Sequence, residues 1–353
     1  MKKSPPAALM GFLLTGLLSS SGSQAATSND HALELGVDRS HLAYVSEAEQ
    51  QKTFADMRAV HAVWFRDGPD SYSDQPKNLV KFVGEMQLAK KYGLKILVGV
   101  GPIDADFDNY NKAAPRNKCG WSDRKWGAVN LDLFTRRLKR VFTALKAANI
   151  DVDAFEIGNE EDSNCYDGDI PSGHEASEEE IVTALRGYSR VLKAAAVVIR
   201  NPQYFPQAKI ITFGIAHGGN KKESLVDPAG YVARLKNLDG YNYLDNDSYH
   251  VDGYGTHVYA WPGDIAGSIT NTLHSDVTSL GTDKPLWVTE WGFLNLKAFP
   301  TKTGLTIQQA MQQFLDTFQA LNRQIPIGPI MYYAYNPDPS LWVPQADILM
   351  TYR

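Results

Sequence analysis

The chain has 353 residues, of which 43% are hydrophobic and 21% charged, so it can bury a sizeable core. Its formal net charge is −5 and no block of lysine and arginine stands out. A nucleic-acid partner would require a basic face, so the charge balance argues against this class of protein.

The first 25 residues have the pattern of a signal peptide. Residues 1–3 (Met-Lys-Lys) form a positive start, residues 7–18 are apolar, and residues 23–25 (Ser-Gln-Ala) form a small-x-small cleavage motif. The apolar stretch is shorter than the roughly 20 residues that span a bilayer. We therefore predict export to the periplasm or the medium, and a mature chain of one domain, residues 26–353, with no membrane span.

Eight short apolar runs, each bounded by turn residues, predict strands in the mature chain. They are almost continuously hydrophobic rather than alternating, which is typical of parallel strands buried on both faces. The runs are Leu33–Val37, Ala59–Phe65, Lys95–Val100, Ala154–Ile157, Lys209–Phe213, Gly253–Val258, Leu286–Thr289 and Gly328–Tyr333.

Segments with helical spacing of apolar residues separate these strands. They are Glu47–Arg58, Lys77–Tyr92, Leu131–Ala148, Ile181–Ile199, Pro228–Leu238, Ile265–Leu280 and Ile307–Leu321. Uninterrupted β-α alternation predicts either an open doubly wound sheet or a closed barrel. Eight strands and the lack of a GxGxxG motif favour an α/β fold of the (βα)8 TIM-barrel type. The prolines at 337, 339 and 344 predict that the eighth helix is short or absent.

Two strand ends carry glutamates. Glu160 follows the fourth predicted strand in the run GNEE, and Glu290 follows the seventh in the run TEW. These strand ends face each other across the mouth of an eight-stranded barrel, where barrel enzymes keep their chemistry. Glycoside hydrolysis uses such a pair, because one carboxylic acid protonates the leaving oxygen and one carboxylate attacks the anomeric carbon. The alternative is that both glutamates have structural partners only.

Glu161 and Glu156 compete with Glu160 for the role of acid. Successive side chains leave a strand on opposite sides, so only one of Glu160 and Glu161 can face the mouth. Glu156 has the parity of Glu160 but lies deeper in the predicted barrel.

An Asn-Glu pair ending strand four, together with a glutamate ending strand seven, resembles the clan of retaining (βα)8-barrel glycoside hydrolases that includes families 5 and 39. The resemblance covers the strand order of nearly the whole mature chain, whereas residue matches are confined to strand ends. It implies that Glu160 is the acid/base, that Glu290 is the nucleophile, and that Asn159 holds the sugar 2-hydroxyl. It also implies cleavage of β-linked sugars, which we expect to occur inside an oligosaccharide or polysaccharide.

The same resemblance assigns three supporting residues. Arg66, which ends strand two in the run WFR, matches the arginine that keeps the nucleophile ionised. His257 and Tyr259 match the clan's His-x-Tyr on strand six. There the tyrosine bonds the nucleophile and the histidine lies near the acid/base.

Aromatic residues near the strand ends are candidate sugar platforms. The clan usually ends strand eight in a tryptophan, but here the strand reads MYYAY. A tyrosine of this strand, Tyr333, or one of Trp291 and Trp261 therefore remains a candidate for the central subsite, with Trp291 preferred because it adjoins Glu290. We predict that at least one of Trp121, Trp126, Trp261 and Trp291 is an exposed platform, and we favour Trp121 for an outer subsite.

The two cysteines, Cys119 and Cys165, follow predicted strands three and four. In an exported protein such a pair indicates a disulfide, which here would join two neighbouring loops of the catalytic face. The chain has no CxxC or HxH motif, so we expect neither a metal nor another cofactor.

Three alternative functions have to be considered for such a barrel. A transglycosylase would share both glutamates, since it differs only in whether sugar or water resolves the intermediate. A non-catalytic carbohydrate-binding barrel would be expected to have lost a glutamate or Asn159, and a metal-dependent hydrolase would carry HxH on strand one. We therefore expect a retaining glycosidase that acts as a monomer on a β-linked carbohydrate.

Overall fold

The computed structural model describes residues 32–69, 76–108, 124–171, 173–217, 228–240, 250–261, 263–293 and 302–334. The predicted signal peptide, Cys119, Trp121 and the segment after β8 in which we predict a short or absent eighth helix all lie outside these ranges. The corresponding predictions therefore remain predictions.

Eight parallel strands surround the centre of the molecule. Their order is β5-β4-β3-β2-β1-β8-β7-β6, and single bridges from Ile211 to Gly253 and from Ile215 to Thr256 connect β5 with β6. This arrangement confirms the predicted (βα)8 TIM barrel. The strands are β1 Leu35–Asp38, β2 Trp64–Asp67, β3 Lys95–Val100, β4 Ala154–Ile157, β5 Lys209–Thr212, β6 Tyr254–Ala260, β7 Leu286–Phe293 and β8 Ile327–Tyr332.

Helices lie between the strands and cover the outside of the barrel. Ser177 begins the longest of them with a capping box, since its hydroxyl accepts from the Glu180 amide while the Glu180 carboxylate accepts from Ser177. The α-helices are α1 Glu47–Ala59, α2 Pro76–Lys91, α3 Leu131–Ala147, α4 Glu178–Ile199, α5 Pro228–Arg234, α6 Ile265–Leu280 and α7 Ile307–Asn322. Short 3-10 helices span Leu42–Tyr44, Asp104–Asp106, Trp126–Ala128 and Leu235–Gly240. Within the described ranges, no helix combines the length and the hydropathy that a bilayer crossing requires.

The largest differences from the predicted strand bounds are at the start of β2 and at the end of β7. The apolar run that begins at Ala59 contains the end of α1 and a turn with a left-handed residue at His61, so β2 begins only at Trp64. Conversely, β7 continues beyond Thr289 to Phe293, so Glu290 lies inside the strand rather than after it.

Towards the amino ends of the strands, the barrel interior is filled by a layer of apolar side chains. The inward side chains of this layer are Trp64, Leu97, Ala154, Ile211, Trp287 and Met331. Two residues further along their strands, Trp64 and Ala154 are followed by Arg66 and Glu156, which the period of two also turns inward. The interior therefore changes from apolar to charged towards the carboxyl ends of the strands.

Candidate active site

Arg66 on β2 is the hub of the charged layer. Its guanidinium donates to Glu156 Oε2 at 2.7 Å, to Glu290 Oε1 at 2.9 Å and to Asn159 Oδ1 at 3.0 Å, and it also contacts the carboxylate of Asp38. Arg66 and all three carboxylates are buried. Because a buried charge is tolerated only when it is paired, this one cation holds the three acids in place.

Both oxygens of Glu290 receive hydrogen bonds. Arg66 donates to Oε1, and the Tyr259 hydroxyl donates to Oε2 at 2.6 Å. The His257 Nδ1 atom lies 3.5 Å from Oε2. Burial by itself would raise the pKa of Glu290, but His257, Arg66 and Tyr259 outweigh burial and lower that pKa. The carboxylate is therefore kept ionised.

A β-bulge turns Glu290 into the barrel. Trp287 faces the interior and Val288 faces the outer core, so strict alternation would turn Glu290 outward. Thr256 pairs with Val288 whereas His257 pairs with Glu290, which makes Thr289 an extra residue on β7. The extra residue brings Glu290 back to the inner side, opposite His257.

Glu160 lies in a tight turn just beyond β4. Gly158 and Glu160 both have positive φ, at 91° and 58°, and the Glu160 amide donates to the Gly214 carbonyl at 3.1 Å. A non-glycine residue with such a φ costs of the order of 1 kcal/mol or more, so neighbouring contacts must hold this conformation. The His257 Nδ1 atom lies 2.8 Å from Glu160 Oε1. The Glu160 side chain is 20% exposed, whereas the Glu290 side chain is 10% exposed.

The two carboxylates next to Glu160 in the chain point away from the mouth. Glu161 is buried and accepts the Asn159 amide at 2.9 Å, while Asp162 accepts the Ala216 amide. Burial and Asp167 raise the pKa of Glu161, and burial and Glu160 raise the pKa of Asp162 to about 7. Of the three neighbours, only Glu160 is placed to meet a substrate.

His257 connects the two glutamates. Burial lowers the pKa of His257, but Glu290 and Glu160 raise it to about 9. Three atoms lie within 4.8 Å of one another: one oxygen of Glu160, one ring nitrogen of His257 and one oxygen of Glu290. Within the described ranges, no other set of His, Cys, Asp or Glu side chains is close enough to share a metal ion. A cation would have to displace the proton between His257 and Glu160, so the arrangement suits proton exchange better than metal binding.

The prediction that Trp291 forms the central subsite is wrong. Trp291 is fully buried, and its ring packs against Phe314 of α7 at 4.7 Å and against Tyr332 at 4.9 Å. The reason is the period of two along β7, since the residue after an inward Glu290 must point outward. Trp126 is also buried and lies 5.4 Å from Tyr188, so its ring is not a platform either.

Two other predicted aromatic residues remain candidates. Trp261 directly follows β6 and is 58% exposed. Tyr333 directly follows β8, is partly exposed, and its ring lies edge-on to that of Tyr259 at 6.4 Å. Burial and the charge of Glu290 raise the pKa of Tyr333.

The sequence analysis missed two residues of the site. Asp38 ends β1 beside Arg66, and burial with Glu290 raises its pKa to about 6 although Arg66 opposes them. The signal used for the glutamates, an acid at a strand end, would have found Asp38 had β1 been extended by one residue. Tyr166 is the one residue from 161 to 167 that is partly exposed, and its partial burial, together with Glu160 and Glu290, raises its pKa.

Cys165 is buried in the segment that follows Glu160. Its predicted partner, Cys119, lies outside the described residues. The disulfide therefore remains a prediction.

No family model matches the sequence, and no curated protein matches it. Solved structures with the same architecture do exist. An endo-1,4-beta-mannanase from Rhizomucor miehei has 14% identity and a TM-score of 0.53 over 86% of each chain. A GH5-4 broad specificity endoglucanase from an uncultured bacterium has 13% identity and a TM-score of 0.56 over 91% of this chain and 93% of its own. An endo-1,4-beta-D-mannanase from Thermotoga petrophila has 12% identity and a TM-score of 0.52 over 91% of this chain and 99% of its own. The chain thus shares the (βα)8 barrel of these glycoside hydrolases.

Proposed function

We propose that the protein is a retaining glycosidase that hydrolyses β-linked sugars through a covalent glycosyl-enzyme. The observation that carries the proposal is the pair of facing carboxylates, Glu160 and Glu290, with one oxygen of each within 4.8 Å of the other. Retaining enzymes hold their carboxyl groups about 5–5.5 Å apart, whereas inverting enzymes need about 6.5–9.5 Å to admit a water molecule. Because the closest oxygens of the two groups lie within 4.8 Å of each other, the arrangement favours the shorter separation of retaining enzymes.

The first step would form a glycosyl ester on Glu290. A Glu290 oxygen attacks the anomeric carbon, the bond from that carbon to the leaving oxygen breaks, and Glu160 gives its proton to the leaving oxygen. Glu290 suits this role because Arg66 and Tyr259 keep it ionised and oriented.

The second step would release the sugar. Glu160, now a carboxylate, takes a proton from water, the water oxygen attacks the anomeric carbon, and the ester bond to Glu290 breaks. Glu290 loses its charge when it becomes an ester, which removes one of the two carboxylates that stabilise the charge of His257. The His257–Glu160 pair therefore binds its proton less tightly in the intermediate, as the second role of Glu160 requires.

Asn159 and the aromatic residues would bind the substrate. The Arg66 guanidinium donates a hydrogen bond to the amide oxygen of Asn159. The amide nitrogen is therefore the group that can donate to a sugar hydroxyl. The exposed ring of Trp261 supports a substrate longer than one sugar, because such a ring recovers its burial only when a ligand covers it. The mannanases and the endoglucanase with the same fold further support an endo-acting enzyme on a β-linked polysaccharide.

Export and the Cys119–Cys165 disulfide belong to the same proposal. An extracellular polysaccharide must be met outside the cytoplasm, which is where a disulfide forms and persists. The mature protein should contain no titratable thiol before reduction. Two reactive thiols in the unreduced protein would contradict the disulfide without affecting the assignment of the glutamates.

The test is the stereochemical course of hydrolysis. The mature protein is first incubated with a panel of β-glucan, mannan, xylan and bacterial exopolysaccharides, and cleavage of the best substrate is then followed by proton NMR. A first-formed product in the β configuration is expected. A first-formed α product would exclude Glu290 as nucleophile, and no cleavage of any β-linked substrate by the wild type would contradict the glycosidase itself.

A further inference from the structure

The imidazole ring of His257 packs directly on Gly214, a residue between β5 and the bridge to β6. A Cβ atom on Gly214 would lie 2.0 Å from His257 Nε2, 2.3 Å from His257 Cδ2 and 2.7 Å from Thr289 Oγ1. Side chains in folded proteins do not approach so closely, since interiors are already close-packed. Gly214 does not have a positive φ. Glycine is therefore required here for space and not for backbone conformation.

The segment around Gly214 holds both the histidine and the acid/base. The Gly214 carbonyl accepts the Glu160 amide at 3.1 Å, and the Ile215 carbonyl accepts the His257 amide at 3.0 Å. With its Nε2 edge against Gly214, the imidazole ring presents Nδ1 to Glu160 at 2.8 Å. A ring displaced by a methyl group would lose this distance, because hydrogen bonds weaken steeply beyond about 3.2 Å.

We infer that Gly214 is a positioning residue of the acid/base: its missing side chain is the space that lets His257 reach Glu160. The inference rests on the proposed function for its catalytic consequence. The steric part stands independently, because it concerns only which atoms share one space.

A double-mutant cycle tests the shared space. Gly214→Ala is compared in the wild type and in a His257→Ala background, where the new methyl group can occupy the place of the imidazole. The cycle is repeated with Thr289→Ala in every variant, which removes Thr289 Oγ1, the remaining atom that the new Cβ would meet. Gly84→Ala is the control, since this glycine is exposed on α2 and a Cβ there meets nothing within 4 Å.

The readout is kcat/KM on aryl β-glycosides with good and poor leaving groups. In the wild-type background we expect Gly214→Ala to lower kcat/KM by roughly 10²-fold for poor leaving groups, as a misplacement of about 1 Å does. The loss should be much smaller for dinitrophenyl glycosides, which leave without protonation. In the His257→Ala background the same change should cost less than about 3-fold, and Gly84→Ala should cost little in either.

Equal losses from Gly214→Ala in both backgrounds, or equal losses on good and poor leaving groups, would overturn the inference. If Gly214→Ala alone fails to fold, the free energy of unfolding decides: a folded Gly214→Ala/His257→Ala protein supports the shared space, and an unfolded one refutes it. A wild-type protein without glycosidase activity refutes the proposed function instead, while the stability cycle still tests the packing.

Discussion

The two sides of the catalytic mouth hold their glutamates in different ways. Glu290 lies inside a strand, is 10% exposed, and accepts hydrogen bonds on both oxygens from Arg66 and Tyr259. Glu160 lies beyond the end of β4 in a left-handed conformation, is 20% exposed, and has one described side-chain partner, His257.

The difference matches the role proposed for each group. A nucleophile has to stay ionised and aligned, so fixed donors on both oxygens favour it. An acid/base has to release and accept a proton in turn, so extra donors that stabilise only its charged form would hinder it. The nucleophile side is thus part of the buried charge network, whereas the acid/base is attached to it mainly through one histidine.

The largest expected effect separates the two chemical roles. Glu290→Gly should lower turnover by on the order of 10⁶-fold, because a missing nucleophile removes the reaction pathway itself. Added azide should then attack from the vacated side and give an α-glycosyl azide from a dinitrophenyl β-glycoside.

The matched variant is Glu160→Gly, which retains the nucleophile. We expect a loss of about 10²–10⁴-fold on substrates with poor leaving groups. Azide should now attack the glycosyl-enzyme and give a β-glycosyl azide. Reversed configurations of the two azide products, read by NMR, would show that the roles are exchanged.

The next effect concerns stability on the nucleophile side. Arg66→Gln should lower the free energy of unfolding by about 3–5 kcal/mol, because it leaves Asp38, Glu156 and Glu290 buried without their cation. His257→Gln should cost clearly less, since glutamine can still donate to Glu160. Denaturant unfolding measures both, with Arg136→Gln on the exposed face of α3 as the control. Equal destabilisation by both substitutions would contradict the difference between the two sides.

A smaller effect is the pH dependence of stability, which both sides share. In the unfolded chain, the pKa of an aspartate is near 3.8. In the folded protein, the pKa of Asp162 beside Glu160 is raised to about 7, and the pKa of Asp38 beside Glu290 is raised to about 6. Unfolding between these values releases a proton, so each group makes the free energy of unfolding fall as pH rises through its window.

Asp162→Asn should flatten this decline up to about pH 7, and Asp38→Asn should flatten it only up to about pH 6. The slope that each removes is at most about 1.4 kcal/mol per pH unit. Thermal unfolding of both variants and the wild type between about pH 4 and pH 8 measures the stability change across the two pH windows. Wild-type slopes in both variants would show that neither acid retains its proton on folding.

The smallest expected effect lies outside the charged layer. Trp261→Ala should raise KM for long oligosaccharides by roughly 10-fold, the equivalent of about 1.5 kcal/mol of aromatic contact, and leave short chromogenic substrates unaffected. Val197→Ala, at an exposed position on α4, is the control for removal of surface apolar area. Similar changes in KM for long and short substrates would exclude Trp261 as an outer platform.

Much of the barrel follows from local patterns in the sequence. β3, β4 and α6 have the predicted bounds, because turn residues and capping residues mark both ends of these segments. β2 was predicted to begin too early, since an apolar run does not reveal where a helix ends and a strand begins. Only hydrogen bonding distinguishes the two: α1 closes at Ala59 before β2 pairs with β1.

The sequence alone determined the alternation of strands and helices, and with it the two strand ends that carry Glu160 and Glu290. It could not determine which way each side chain faces. The bulge at Thr289 turns Glu290 inward and Trp291 outward, and it arises from pairing with β6, a segment some 30 residues away in the chain. The sharing of Arg66 among three acids and the contact of His257 with Gly214 likewise join distant strands. Such choices depend on space and charge within the closed barrel, and these exist only once the strands have met.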